Sequence, residues 1–254
     1  MMHCVYEYLY GKGIEAKAIR SQAKLADSDA DAVWAGCVTA WMFLLRGGEW
    51  LCHDGKGYDL SKVILGSGVR LHDKTGKLTR SFAEAMELSL EIRASKIDQY
   101  NTGVWFNHFR SGERICPVEA MHRLFVRHPE RFHGGADSLL PLFRLSNGQP
   151  LWASQITVLL ETAAIEEGLP SARFGTHSMR IGGATALLHA GVPIELIKRM
   201  GRWVSDSFQR YLWEAAEGTE GLSKKMASTS ATLSVTRQGP VDELGRGRPG
   251  RARK

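Results

Sequence analysis

The 254-residue sequence predicts a mostly helical α+β fold with one small antiparallel sheet. Three observations predict it. Apolar residues recur at three- and four-residue spacing through several long segments, as on the buried face of a helix. Between Lys62 and Phe109 the pattern shifts to short runs rich in β-branched and aromatic residues, the habit of strands. Composition, with 43% hydrophobic and 24% charged residues, suits a chain that folds around one core and excludes a wholly disordered one.

Taken in order, residues 1–28 have weak periodicity and read as a short leader or one partial helix. Ser28 is placed as an N-cap. After it Val33, Trp34, Cys37, Val38, Trp41, Met42 and Leu45 mark a strongly amphipathic helix ending in LLRGGEW, with Arg46 at its C-terminal end. Short strands follow in KVIL, VRLH and LSLEIR, the last with Leu88, Leu90 and Ile92 on one face. The polar stretch SKIDQYNTG then leads into VWFNHF, a hairpin with Lys96 at its turn. Pro117 suits the first position of a helix whose apolar residues are Val118, Met121, Leu124 and Phe125. Another helix follows Ser154, with Ile156, Leu159, Leu160 and Ala163 on one side. HSMRIGGATALLHAG, VPIELIKRMG and SDSFQRYLWEAA read as three short helices divided by Gly191, Pro193 and the GRW segment. The predicted division is a leader over 1–28, a folded domain over 29–216, and a polar tail over 217–254 that is disordered when alone.

No stretch of about 18 apolar residues occurs, and the first residues lack the apolar block of a secretory signal. An intracellular protein with no membrane partner is expected, nuclear if the host is eukaryotic. Cys4, Cys37, Cys52 and Cys116 lack CxxC spacing, so neither a metal site nor a disulfide framework is predicted, and the thiols are expected to be mostly buried. Net charge is +6, but from Glu217 onward eight Lys or Arg stand against four acids. Bulk charge thus points to a polyanion only at the tail, and any role of the core must rest on particular residues.

Those residues lie in FGTHSMRIGGATALLHAGVPIELIKRMGRWVSDSFQRYLW, which resembles the C-terminal active-site block of tyrosine recombinases, most of all their Crypton-type and retrotransposon branch. That family carries His-x-x-Arg, a Gly-led turn bearing His, Trp or Arg, and then a nucleophilic Tyr. The matching residues here are His177, Arg180, Gly201 with Arg202 and Trp203, and Tyr211. The family's first arginine, in a pattern like Gly-Leu-Arg-x-x-Glu, is similar to Leu45, Arg46 and Glu49, and its lysine sits in a β-hairpin turn, as Lys96 does. The resemblance implies the catalytic-domain fold of that family, cleavage and rejoining of double-stranded DNA through a 3′-phosphotyrosyl link, no cofactor or metal, and a homo-tetramer on paired sites. Family members clamp DNA with a further helical domain, and little chain precedes the pattern here. Weak DNA binding by the core alone is therefore expected.

Chemistry supports the same roles. Transesterification at a phosphodiester needs a nucleophile, positive donors for the non-bridging oxygens, and an acid for the leaving 5′ oxygen. Tyr211 suits the first, provided that cations favour its phenolate. Arg46 and Arg180 suit the second, as permanently charged forks. His177 can donate to the phosphate or assist proton removal, Lys96 suits the acid, and Arg202 or Trp203 completes the wall. Each has an ordinary structural alternative: a helix cap and surface ion pair for His177 and Arg180, core packing for Tyr211, a helix-end salt bridge between Arg46 and Glu49, and solvated charge for Lys96. In the tail, Arg246-Gly247-Arg248-Pro249 matches an AT-hook that would lie in the A/T-rich minor groove; a basic tail gripping phosphates without sequence preference is the alternative. Two other functional readings stand beside recombination: a DNA-binding relic that no longer recombines, and a relaxing enzyme resembling type IB topoisomerases.

Overall fold

The computed structural model describes residues 1–53, 55–93 and 103–205. Its axis is helix α3 (Ala30–Met42), in which every residue from Ala30 to Ala40 is buried. Small and apolar side chains occupy all of its faces, which is how a helix enclosed by others reads. The amphipathic helix expected here is therefore a central one, and even its polar residues are covered. Asp31 accepts hydrogen bonds from the Tyr10 hydroxyl at 2.8 Å and from Arg127 Nε at 2.7 Å. Ser28 does not cap this helix. Its Oγ lies 2.7 Å from Ser146 Oγ, and the chain enters α3 through a 3-10 turn at Asp27–Asp29, where the Asp29 carboxylate accepts the Ala26 and Ser146 amides.

Residues 1–28, read as a leader or a partial helix, instead hold two helices, α1 (Met2–Tyr10) and α2 (Ile14–Gln22). Val5, Tyr8, Leu9 and Ile19 join the main core. Their signal is weak because each helix is only nine residues long and α2 turns a charged side chain inward. Buried Arg20 donates to the carbonyls of Tyr8 and Gly11 and pairs with Asp27, tying α2 to the end of α1.

Four strands form one antiparallel sheet in the order β2-β1-β3-β4: β1 (Val69–His72), β2 (Leu78–Thr79), β3 (Glu87–Ile92) and β4 (Val104–Phe109). Leu88, Leu90 and Ile92 are buried on one face, as expected. KVIL is not a strand. Val63 and Ile64 are buried in a connecting loop, where Ile64 bonds the backbone of Glu49 and Leu142, so apolar content here reports enclosure and not pairing. The β3–β4 hairpin keeps the register Glu87↔Phe109 to Ile92↔Val104. Lys96, expected at its turn, lies outside the described residues.

Helices α4 (Pro117–Arg127), α5 (Ala153–Glu166), α6 (His177–His189) and α7 (Ile194–Met200) fall where the sequence predicts them. The α+β class, mostly helical with a small antiparallel sheet, is the one observed. α6 crosses the end of α3 closely enough that a Cβ at Gly182 or Gly183 would overlap the ring or the carbonyl of Trp41. No helix among the described residues is long and apolar enough to cross a membrane. The third predicted helix, around Tyr211, and the tail with Arg246 and Arg248 lie outside the described residues.

Candidate functional site

Two helix ends build the site. α3 stops at Met42, so Arg46 stands beyond the helix and not within its last turn. Phe43 caps it, Leu44 adopts a left-handed φ of 50°, and the Leu45 amide returns to the Ala40 carbonyl at 3.0 Å. α7 closes in the same way, with Gly201 as cap, Arg202 at φ 57°, and the Trp203 amide bonded to the Lys198 carbonyl at 3.0 Å. Glycine is usual at the left-handed position of such a cap. A bulky residue held there costs about 1–3 kcal/mol and persists only where its surroundings demand it. Here both strained residues meet in one place, and the carbonyls that the two helices leave without intrahelical partners converge.

Guanidinium groups satisfy those carbonyls. Arg180, on the first turn of α6 and 2% exposed, donates Nη1 to the Leu44 carbonyl at 2.9 Å and Nη2 to the Gly201 carbonyl. Arg202, 5% exposed, donates Nη1 to the carbonyls of Phe43 and Met200 and Nη2 to that of Leu44, each at 3.2 Å. Its Nη2 also pairs with Glu49 Oε2 at 2.7 Å. Arg46 donates Nη1 to Glu49 Oε1 at 3.0 Å and Nη2 to the carbonyl of Arg202 at 3.1 Å. The Arg46–Glu49 pair expected as a plain salt bridge is thus present, but its carboxylate serves two arginines and also accepts the Arg46 amide at 2.8 Å. Arg46 differs from the other two in exposure: its side chain is 32% open to solvent. Only two of the five N–H donors of its fork are used by described residues.

Charge does not balance here. Arg46 and Arg202 share the single carboxylate of Glu49, which leaves a surplus of positive charge around a partly open fork. Burial lowers the pKa of Arg202, with Glu49 opposing that and Arg46 adding to it. His177, the first residue of α6, is exposed as a residue, yet partial covering of its ring, and then the charge of Arg180, lowers its pKa. Its imidazole is therefore mostly neutral at pH 7 and can accept a proton. The Trp203 ring, half-buried, lies 4.2 Å from Arg180 Cζ and closes one side. Gly201 is required beneath it, because an added Cβ would overlap that ring.

The sheet is tied to the same place. His108 of β4 bonds the Met42 carbonyl at 2.7 Å and meets the Phe43 ring edge-on, and Phe106 lies 5.7 Å from Arg202 Cζ. One residue escaped the sequence reading: His53, whose imidazole, with the Thr176 hydroxyl, flanks Gly47 beside Arg46. It belongs to no motif, and only folding brings it there. The structure thus gathers Arg46, Arg180, Arg202 and Trp203, with His177 on the same helix as Arg180. Lys96, Tyr211, Arg246 and Arg248 lie outside the described residues.

No family model matches the chain, and no curated protein matches it in sequence. Several solved structures are similar to it, among them two DNA complexes. One is the XerH site-specific recombinase bound to a palindromic difH substrate in a post-cleavage complex, with 10% identity, a TM-score of 0.49, and coverage of 92% of this chain and 51% of that one. The other is the Tn1549 transposon integrase in complex with circular intermediate DNA, with 15% identity, a TM-score of 0.39, and coverage of 83% of this chain and 62% of that one. The chain spans about half the length of the first of these.

Proposed function

We propose that this chain cleaves and rejoins DNA strands as a tyrosine recombinase, through a 3′-phosphotyrosyl intermediate. The observation that carries the reading is the convergence of Arg46, Arg180 and the Gly201–Trp203 turn, far apart in sequence, around a surplus of fixed positive charge. A phosphodiester is the natural complement of such a site, since guanidinium forks pair two donors with two phosphate oxygens. In this reading Arg46 and Arg180 hold the non-bridging oxygens and Trp203 walls the phosphate. The Tyr211 oxygen attacks phosphorus, its proton passing to His177 or water. A Tyr–phosphate bond forms as the bond to the 5′ oxygen breaks, and that oxygen takes a proton from Lys96. The reverse attack by a 5′ hydroxyl rejoins the strand. Bond energy is conserved in the link, so the reaction draws on no nucleotide. Strand β4, which follows Lys96 in the sequence, is anchored at the cluster through Phe106 and His108, which supports a part for Lys96 in this reading.

A nicked suicide duplex tests the proposal. Wild-type protein should leave an adduct stable to detergent, and Tyr211→Phe none. Absence of any adduct from folded wild-type protein would favour a second reading, a phosphate-binding relic. That reading draws support from Arg180, whose deep burial and two carbonyl partners also suit a structural arginine. Assembly as a tetramer on paired sites, an AT-hook at Arg246 and Arg248, a mobile-element origin and a nuclear location belong to this proposal and rest on the sequence.

A further inference from the structure

We infer that Arg202 is a positioning residue that sets Arg46 and Arg180 for the phosphate from inside the fold and does not itself touch DNA; this rests on the reading above. The residue joins three segments at once. Its side chain takes up the carbonyls of Phe43 and Leu44 from the end of α3, that of Met200 from α7, and the carboxylate of Glu49 from the turn after Arg46. Its backbone acts separately: the left-handed conformation turns its own carbonyl to Arg46 Nη2, 3.1 Å away. Arg46 is thereby fixed on both sides, by Glu49 at Nη1 and by the Arg202 carbonyl at Nη2, while Glu49 is itself fixed by Arg202 Nη2. Arg180 is coupled to the same device, because the Leu44 carbonyl accepts from both Arg180 and Arg202, and the Gly201 carbonyl that Arg180 holds adjoins Arg202. To turn to a phosphate, the Arg202 side chain would have to leave the buried Glu49 carboxylate, 2.7 Å away, as well as the carbonyls of both helix ends. Lysine would keep the charge beside Glu49 but not the planar fork that joins the three segments.

Two measurements on the full-length chain test this. In the first, phenylglyoxal modifies arginines of the wild-type protein, with peptide mapping, in the presence and absence of nicked duplex. Arg46 should react and be protected by DNA, and Arg202 should stay unmodified in both samples. Reaction of Arg202 without DNA and its protection by DNA would overturn the inference, and this result does not depend on whether the chain cleaves. In the second, Arg202→Lys and Arg202→Gly are compared, the glycine keeping the left-handed backbone without the guanidinium. The rate of adduct formation at saturating DNA should fall at least about tenfold in both, with half-saturating DNA concentration little changed. A folded Arg202→Lys protein whose loss lay wholly in half-saturation would make Arg202 a DNA contact. One with an unchanged rate would remove it from the site. Failure of wild-type protein to form any adduct, with the labelling result as expected, would instead sink the recombinase reading and leave Arg202 as an internal brace.

Discussion

Apart from Arg20, the buried arginines among the described residues fall in two groups, and they behave differently. In one, Arg131 donates to the carbonyls of Leu142, Arg144 and Leu145, while Arg144 donates to that of Pro141 and pairs with Asp137. All of these lie between Pro129 and Leu145, two carboxylates, Glu130 and Asp137, face two guanidiniums, and both arginines are buried. Burial, and then the charge of Arg144, lowers Arg131 to about 10. In the other, Arg46, Arg180 and Arg202 join segments more than a hundred residues apart, Arg46 and Arg202 share the single carboxylate of Glu49, and Arg46 is left partly open. Burial and bonding to carbonyls are common to both groups. They mark arginine as structural staple and carry no functional signal. Surplus charge, an open member, and two strained caps on facing helix ends set the second group apart.

The largest expected effect bears on the carboxylate that the second group shares. Glu49→Gln leaves Arg202 buried without its counterion and should cost about 3–5 kcal/mol of stability, read by urea unfolding. Next comes the contrast between groups. Arg46→Ala should slow adduct formation about 10²–10³-fold while changing stability by less than about 1 kcal/mol, since its side chain is one-third exposed. Arg131→Met should do the reverse: about 1–3 kcal/mol of stability lost as carbonyls go unpaired, with adduct formation per folded molecule unchanged. If both variants lost activity in proportion to stability, the distinction between the groups would fall.

A smaller effect lies in two histidines, one beside each group. The pKa of His177 is lowered by burial and by Arg180, and that of His128 by burial and by Arg131, against the opposing pull of Glu130. Both folded values lie below the unfolded one of about 6.5. The unfolded chain therefore binds more protons below neutrality, and the stability that these groups contribute is present above about pH 6.5 and lost as pH falls through it toward the folded values. Nicked duplex bound at the second group should raise His177, because an anion favours imidazolium, and leave His128 where it is. NMR titration of the two rings with and without DNA reads this directly, and equal movement of both would deny a localised phosphate.

Most helices were legible in the sequence because their burial follows the 3.6-residue period, as at Val118, Met121 and Leu124 of α4. The β3–β4 hairpin was legible because Leu88, Leu90 and Ile92 alternate. Where enclosure was complete, period was lost: α3 is apolar on every face, and the buried loop at Val63 and Ile64 imitates a strand. α1 and α2 were obscured by their shortness and by Arg20, a cation on a buried face. At the site, motif order pointed to Arg46, His177, Arg180, Arg202 and Trp203, and the fold brings Arg46, Arg180, Arg202 and Trp203 together. It could not say which way Arg202 points. That depends on two left-handed caps, at Leu44 and Arg202, which no propensity predicts because glycine is the usual residue there. His53 was invisible for a similar reason, since only folding brings it beside Gly47.

The central claim is that the surplus charge around Arg46 exists to hold a scissile phosphate for Tyr211. Its most direct test is one gel: wild type, Arg46→Ala, Arg131→Met and Tyr211→Phe, each incubated with the same nicked duplex, and any adduct digested and mapped by mass spectrometry. The account predicts DNA attached at Tyr211 in the wild-type and Arg131→Met lanes, far less in the Arg46→Ala lane, and none in the Tyr211→Phe lane. An adduct that survives Arg46→Ala undiminished, or that maps to a residue other than Tyr211, would contradict it.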